Sequence, residues 1–192
     1  MQNPNNKYHE YSEFEIDQLN IKFKDDEKHE ETGAVGSMEE AMEAKTVTKN
    51  YKGKNAKSRT RGTGSGTLKL SLHMAYDKYN QMFGKKNENL IEGVTSYGEE
   101  SLHEVFSMTA LVKDEDGFEK LKAYPKCTVT NAPSGKIENG AEEVAEIELE
   151  IAVMPDEYGQ GQYEALKDAL AEEVASEWME SFTPDLVRVS EA

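Results

Sequence analysis

Residues 142–153 read EEVAEIELEIAV, and the second half of this stretch alternates strictly between acidic and apolar side chains. The apolar positions are Ile147, Leu149, Ile151 and Val153, and the acidic positions before and between them are Glu146, Glu148 and Glu150. Successive side chains of a β-strand point to opposite faces of the sheet, so a period of two indicates one buried and one wet face. The stretch predicts a strand of an antiparallel sheet that ends before Pro155.

Four other segments have strand character, at residues 14–23, 68–74, 105–112 and 118–129. The alternation in the first segment slips near Gln18, which suggests a β-bulge. The turn Asp114-Glu115-Asp116-Gly117 separates the last two segments, and an Asp-Gly turn between two apolar runs is a strong hairpin signal. Pro125 lacks a backbone N–H, so it indicates an edge or a bulge in the final segment.

Helical spacing occurs in two places. Asp77 can begin a short helix that ends at Gly84. Near the C-terminus, large apolar side chains recur at three- and four-residue steps, which is typical of one or two helices: Tyr163, Leu166, Leu170, Val174, Trp178 and Phe182. Residues 38–45 fit either a short helix or, together with Val47, a strand.

These elements predict a mainly β fold, an antiparallel β-sandwich or barrel with a flanking short helix, a long loop and a helical C-terminal tail. We expect one domain over residues 1–192, with an N-terminal arm at 1–12, a long flexible loop at 52–66 and the helical tail at 163–192. The long loop is basic and rich in glycine, and its only apolar residue is Ala56. The acidic run at residues 24–31 predicts a second exposed loop.

Charge is unevenly distributed along the chain. The 192 residues include 38 acidic and 22 basic side chains, for a net charge of -16. Residues 45–86 contain eleven basic residues and only one acidic residue, Asp77. An excess of Lys and Arg captures the phosphate backbone, so the overall balance argues against a simple nucleic-acid-binding protein.

The residues of common catalytic and metal sites occur without the required spacing. The four histidines (His9, His29, His73 and His103) are scattered, and the single cysteine, Cys127, lies in a strand pattern that favours a core thiol over a nucleophile paired with His103. Gly62, Gly64 and Gly66 precede a strand instead of the helix that a phosphate loop needs. We therefore expect no enzyme activity, no catalytic residue, no metal and no cofactor. No run reaches 18 apolar residues and the first six residues lack a signal-peptide pattern, so we expect no membrane partner.

Two features point to function, and each has a simpler interpretation. The row Glu146, Glu148 and Glu150 is either the wet face of an amphipathic sheet or a surface that repels anions. The basic segment is either a disordered surface loop or a segment that docks on an acidic surface of another subunit.

Several segments resemble the major tail proteins of long-tailed phages, siphoviruses and prophages, of Gram-positive bacteria. They are GTLKLSL with YDKY at 66–79, EGVTSYGEES at 92–101, MTALVKDEDGFEKLKAYPKCTVTNAP at 108–133, ENGAEEVAEIELEIAVMPDEYGQGQYEAL at 138–166 and WMESFTPDLV at 178–187. The resemblance covers roughly residues 45–188 in the same order, and none of its segments is a catalytic signature.

The resemblance implies a structural virion protein that self-assembles into hexameric rings, stacked as a tail tube that conducts DNA during ejection. It implies contacts with further copies of the chain, with the tape measure and with other tail proteins, and a lumen through which DNA passes without specific binding. The location would be the virion tail, and the host cytoplasm during assembly. Lumen-facing candidates are Glu146, Glu148 and Glu150, and candidates for the loop between rings are Lys52, Lys54, Lys57, Arg59 and Arg61.

Two other functions remain open from the residues. One is an acidic β-sandwich module that binds carbohydrate or protein, which would need exposed aromatic side chains, whereas Trp178 falls in helical spacing. The other is a carboxylate-dependent hydrolase, which would need two carboxyl groups held across a cleft. The sequence does not single out such a pair.

Overall fold

The computed structural model describes residues 12–52, 54–140 and 142–189. Within these ranges the chain forms eight β-strands, two short α-helices and two single 3-10 turns. The strands are β1 Glu13–Phe23, β2 Glu30–Glu31, β3 Val35–Tyr51, β4 Lys54–Leu72, β5 Val105–Asp114, β6 Glu119–Val129, β7 Ile147–Val153 and β8 Tyr163–Leu166. The helices are α1 Tyr76–Met82 and α2 Glu172–Ser181, and the 3-10 turns are Lys167–Ala169 and Pro184–Val187.

The strands form one antiparallel sheet in the order β2-β1-β5-β6-β7-β4-β3, and β8 pairs with β6. The mainly β, antiparallel fold predicted from the sequence is confirmed, in a form consistent with a β-sandwich carrying a short helix. The predicted hairpin is also present, because β5 and β6 pair across the turn that contains Gly117. No helix in the described ranges is long and apolar enough to cross a membrane.

Pro125 marks the point at which β6 changes partners. The residues before it, Lys120–Ala123, pair with β8, and those after it, Cys127–Val129, pair with β7. The register against β5 shifts here, as the sequence predicts, because a residue without a backbone N–H cannot continue the ladder. The slip expected near Gln18 is likewise present, as a register shift in β1 between Ile16 and Gln18.

The main hydrophobic core lies on the inner face of the sheet. Leu149, Ile151 and Val153 of β7 are buried there, the first two opposite buried leucines of β4, while Glu148 and Glu150 are exposed. The burial pattern of β7 confirms the alternation read from the sequence. Cys127 also lies in this core, and burial raises the pKa of its thiol well above the usual range, as expected for a core thiol.

A second apolar cluster covers part of the outer face. Trp178 and Phe182 of the C-terminal region pack against Leu111 of β5 and Leu121 of β6. The helical tail is therefore present from Glu172, but the prediction of helix at residues 163–166 was wrong. Those four residues form β8, because the free edge of β6 offers a ladder to their backbone.

The prediction of a long flexible loop at residues 52–66 was also wrong. Residues 54–66 belong to β4, which begins at Lys54 and pairs with β3, with a register shift between Gly62 and Gly66. Composition misled here, because backbone hydrogen bonds form a ladder whether or not the side chains are apolar. Residues 38–45 are accordingly strand and not helix.

The acidic run at residues 24–31 is only partly an exposed loop. His29 within it is buried, and its backbone N–H donates to the carbonyl oxygen of Glu180 at 2.7 Å. Burial lowers the pKa of His29 to about 4, so the ring is neutral at pH 7. The expected N-terminal arm at 1–12 falls outside the described residues, except for residue 12.

Candidate functional site

A two-stranded arm extends β3 and β4 beyond the body of the sheet. It comprises residues 41–65, and we call it the arm. β4 pairs with β7 between Gly66 and Leu72, so among the described strands residues 54–65 pair with β3 alone. The described side chains at residues 41–50 and 57–63 are all exposed, so no hydrophobic core supports this ribbon.

One side of the arm carries a set of basic side chains that we call the basic face. Its members are Lys45, Lys49, Lys57, Arg59 and Arg61, together with Val47. Lys45 lies directly opposite Arg61, Lys49 lies opposite Lys57, and Val47 lies opposite Arg59. Like charges placed directly across two strands destabilise the pair, and the described carboxylates form no ion pair with any of the five.

The opposite side of the arm carries small hydroxyl side chains, and we call it the hydroxyl face. The Oγ1 atoms of Thr46 and Thr60 lie 2.8 Å apart, and Oγ1 of Thr48 lies 3.4 Å from Oγ of Ser58. These cross-strand contacts bury no apolar surface, and the register of the two strands is already set by their backbone ladder. Among the described side chains at residues 45–49 and 57–61, the arm therefore has two chemically different faces, of which one is charged.

Glycines allow close contacts at the root of the arm. Gly64 has a φ of 77°, and a side chain there would collide with the carbonyl oxygen of Gly159. A Cβ on Gly66 would lie 2.6 Å from the sulfur of Met42. These two glycines therefore bring β3, β4 and the loop before β8 together.

An ion network around the buried Lys122 ties the same root to the body. Lys122 is 3% exposed, and its Nζ lies 3.0 Å from Oε2 of Glu40 and 2.8 Å from Oε1 of Glu13. Tyr124 donates its hydroxyl hydrogen to Glu40, and Gln162 donates to Glu40 from Nε2 at 2.9 Å. Glu40 belongs to β3, next to the first residue of the arm, so the network joins the arm to β1, β6 and the loop before β8.

The electrostatics of this network favour the ionised forms of its charged members. Burial acts to lower the pKa of Lys122, but hydrogen bonds and charges from Glu13 and Glu40 outweigh it, so the pKa is raised. Burial acts to raise the pKa of Glu13, but Lys122 and Lys120 outweigh it, so the pKa is lowered. Burial and then the charge of Glu40 raise the pKa of Tyr124 far above its usual range. All three groups keep their ordinary charge at pH 7.

The carboxylates predicted to line a lumen lie on the part of the outer sheet face that α2 leaves uncovered. Glu148 and Glu150 of β7 are exposed there and lie opposite Ser71 and Lys69 of β4. Glu146 precedes β7, and a Cβ on Gly36 would collide with its carboxylate. The structure thus brings two of the three predicted residues onto one strand face and places the third in the preceding loop.

The five residues predicted for the loop between rings also lie in different places. Lys57, Arg59 and Arg61 share the basic face, Lys52 lies in the turn at the tip of the arm, and the side chain of Lys54 is outside the described part. Sequence reasoning missed Lys45 and Lys49 as members of the same surface. Their alternation with Val47 was visible, but only the register of β3 against β4 shows which face they share.

No protein-family model and no curated protein matches the chain. Among solved structures, a chain in the cryo-EM structure of the anti-feeding prophage cap, the AFP tube terminating cap, is 11% identical, with a TM-score of 0.43. The match covers 78% of this chain and 88% of that chain. A chain in the 6-fold symmetrised anti-feeding prophage baseplate is 12% identical, with a TM-score of 0.40, over 77% of this chain and 90% of that chain. At TM-scores below 0.5, neither similarity assigns a function to this chain.

The side chains considered for catalysis or ligand binding are engaged elsewhere. Nδ1 of His103 lies 2.8 Å from the carbonyl oxygen of Val129, and the thiol of Cys127 donates to the carbonyl oxygen of Tyr124. Trp178 is 2% exposed and so offers no aromatic platform for a carbohydrate. Within residues 12–52, 54–140 and 142–189, no group of three or more metal-binding side chains is placed to hold an ion.

Proposed function

We propose that this chain is a non-enzymatic structural subunit of a phage-type tail tube. Subunits would form hexameric rings, and the rings would stack into a hollow tube that conducts DNA during ejection. The observation that carries the proposal is the arm, a long, exposed and charged two-stranded ribbon that the body braces at its root. The segments that resemble major tail proteins support the same assignment.

The arm has the properties of a connector between subunits. A two-stranded hairpin without a third strand or a hydrophobic face is only marginally stable in water. Here the Gly64 contact and the Glu40 network fix where the ribbon leaves the body, so its direction is set before any partner binds. A partner surface would supply the contacts that the arm lacks alone, and a contact between unlike surfaces of two copies generates rings or stacks.

The part of the outer sheet face that α2 leaves uncovered is our candidate for the lumen. Glu148 and Glu150 present carboxylates about 7 Å apart along β7, which is the spacing of side chains on one face of a strand. Lys69 lies opposite Glu150 and offsets part of its charge, whereas Glu148 lies opposite the neutral Ser71. Repulsion of DNA would act over a screening length of about 8 Å at physiological salt, so it would keep DNA from adhering to the wall.

The proposal places the protein in the virion tail, and in the host cytoplasm before assembly is complete. Its partners would be other copies of the chain, the tape measure and other tail proteins. DNA would pass through the lumen without binding specifically. The net charge of -16 agrees with such a role, since an acidic protein does not retain DNA.

Electron microscopy of two proteins tests the proposal. The first is the wild type, and in the second Asn-Gly replaces residues 45–61, which joins the paired residues Ala44 and Gly62 through a two-residue hairpin turn. We expect rings or tubes of the wild type in negative stain as its concentration rises. The shortened variant should keep the wild-type melting temperature but form no stacked tubes.

Two results would contradict the proposal. One is a wild type that stays monomeric in sedimentation at every concentration, with no rings on the grid. The other is a shortened variant that stacks into tubes as long as those of the wild type, which would remove the arm from the assembly.

A further inference from the structure

We infer that the arm engages a second copy of this chain through its basic face alone, against carboxylate side chains of that copy, while the hydroxyl face makes no assembly contact. The inference rests on the proposed function and names the surface and the partner chemistry that the function requires. The observation behind it is the cross-strand register of β3 and β4, which divides the arm residues between two faces.

The basic face has a regular geometry. Its three rows, centred on Lys45, Val47 and Lys49, repeat about every 7 Å along the arm, and the paired Cβ atoms in each row are about 5 Å apart. Five of its six side chains are basic and exposed. A surface with this spacing fits a partner whose carboxylates lie in a row or a stripe of similar pitch.

The basic side chains of this face repel one another, and a partner would relieve that repulsion. In the isolated chain, Lys45 faces Arg61 and Lys49 faces Lys57, so the ribbon holds like charges together. No ion pair to the chain's own described carboxylates offsets this repulsion. Carboxylates from outside the chain would turn the repulsion into attraction, so the charges favour the assembled state over the free one.

The composition of the chain favours a second copy as the source of those carboxylates. The arm holds seven basic residues and one acidic residue, and the rest of the chain holds 15 basic and 37 acidic residues. A second copy thus presents a mainly acidic body to the arm. DNA is disfavoured as the partner because the same acidic body would come close to the phosphates whenever the arm approached them.

The two strands contribute different cations. β4 supplies Arg59 and Arg61, whose planar guanidinium groups bind carboxylates in a bidentate manner, whereas β3 supplies Lys45 and Lys49, which act as mobile point charges. The arginine pair should therefore fix the orientation of the contact. Changing both to lysine keeps the charge but removes the bidentate geometry.

A pair of double variants tests the assignment of faces. Lys49→Gln with Lys57→Gln removes two positive charges from the basic face. Thr48→Glu with Thr60→Glu adds two negative charges to the hydroxyl face at diagonal positions, so the net charge changes equally. We expect the first variant to raise the concentration at half-assembly by about tenfold, and the second by less than about twofold.

The readouts are sedimentation velocity over a concentration series at low and high salt, and the melting temperature of each variant. Both variants should melt like the wild type, since the arm adds little to the stability of the body. Assembly of the wild type should weaken with salt, and that of the glutamine variant should depend less on salt. Arg59→Lys with Arg61→Lys should also assemble less well, although its charge is unchanged.

Each remaining outcome overturns the inference. Equal loss of assembly in the glutamine and glutamate variants would mean that net charge matters and not the face. Loss in the glutamate variant alone would assign the contact to the hydroxyl face. Binding of a labelled DNA duplex by the wild type, abolished by Lys49→Gln with Lys57→Gln, would make nucleic acid the partner. A wild type that never assembles would refute the proposed function and this inference with it. If the wild type assembles and both double variants assemble equally well, only the inference would be refuted.

Discussion

Strand β4 is one continuous strand with two different halves. From Gly66 to Leu72 it pairs with β3 on one side and with β7 on the other, and it buries Leu68, Leu70 and Leu72. From Lys54 to Ser65 it pairs with β3 alone and buries no described side chain. The backbone ladder is common to both halves, so the difference between them lies in what surrounds the ladder.

This contrast shows that a hydrogen-bonded ladder and a hydrophobic core make separate contributions to a strand. Full burial of a leucine side chain contributes about 1.5–3 kcal/mol, and the body half has three such residues. At the same alternate positions the arm half has Ser58, Thr60 and Gly62, which bury nothing. We conclude that the body half stabilises the monomer through core packing, whereas the arm half contributes its backbone ladder and no buried apolar side chain.

The largest expected difference concerns folding of the two halves. Leu70→Asp places a charge in the core and should destabilise the fold by more than about 4 kcal/mol, so that the protein no longer unfolds cooperatively. Arg59→Asp, at an exposed position of the same strand, should change the free energy of unfolding by less than about 0.5 kcal/mol. Urea titrations followed by circular dichroism measure both. A cooperative transition of Leu70→Asp at the wild-type midpoint would show that the two halves do not differ in this way.

An intermediate effect is expected at the junction of the two halves. Lys122→Met removes the cation that holds Glu40 and Glu13 and should destabilise the protein by about 1–3 kcal/mol, because it leaves partly buried carboxylates without their partner. Lys126→Met, at an exposed position of the same strand, is the matched control and should have little effect.

The pH dependence of the Lys122 effect follows from the two pKa shifts. The lowered pKa of Glu13 gives a contribution that is present above the unfolded pKa, about 4.3, and is lost as the pH falls through the folded value. The raised pKa of Lys122 gives a contribution that is present below its unfolded value, about 10.4, and is lost at higher pH. The stability difference between wild type and Lys122→Met should be constant from about pH 5 to 10 and should shrink on both sides. A difference that persists unchanged at pH 2 would argue against an ionic origin.

The smallest effect on stability is expected at the exposed positions beside the body half. Glu148→Lys with Glu150→Lys should leave the free energy of unfolding within about 0.5 kcal/mol of the wild type, because both side chains are exposed. Assembled tubes of this variant should retain a labelled DNA duplex that wild-type tubes release. The control, Glu172→Lys with Glu173→Lys on α2, has the same charge change on another exposed surface. Equal retention of DNA by both variants would exclude a special lumen role for β7.

Local sequence patterns were sufficient for much of the body. The alternation of β7, the hairpin turn at Gly117 and the bulge at Pro125 could all be predicted from the sequence. Each depends on a few neighbouring residues and on the chemistry of one backbone position. The arm could not be recognised as a strand from the sequence, because its residues from Lys52 to Ser65 lack the apolar alternation from which strands are recognised. Its ladder depends on β3 lying alongside, and no property of the segment itself reports that neighbour.

The sequence by itself determined the mainly β fold, the separation of basic and acidic regions and the alternation of the carboxylates on β7, since these follow from composition and from a period of two. The tertiary structure alone decided which charges meet. It paired Glu40 with Lys122, 82 positions apart, and it placed Lys45 and Lys49 on the same face as Lys57, Arg59 and Arg61. The physical reason is that contacts between distant residues depend on strand register, which core packing fixes in the body and the backbone ladder with its hairpin turn fixes in the arm, so these contacts have no local signature in the chain.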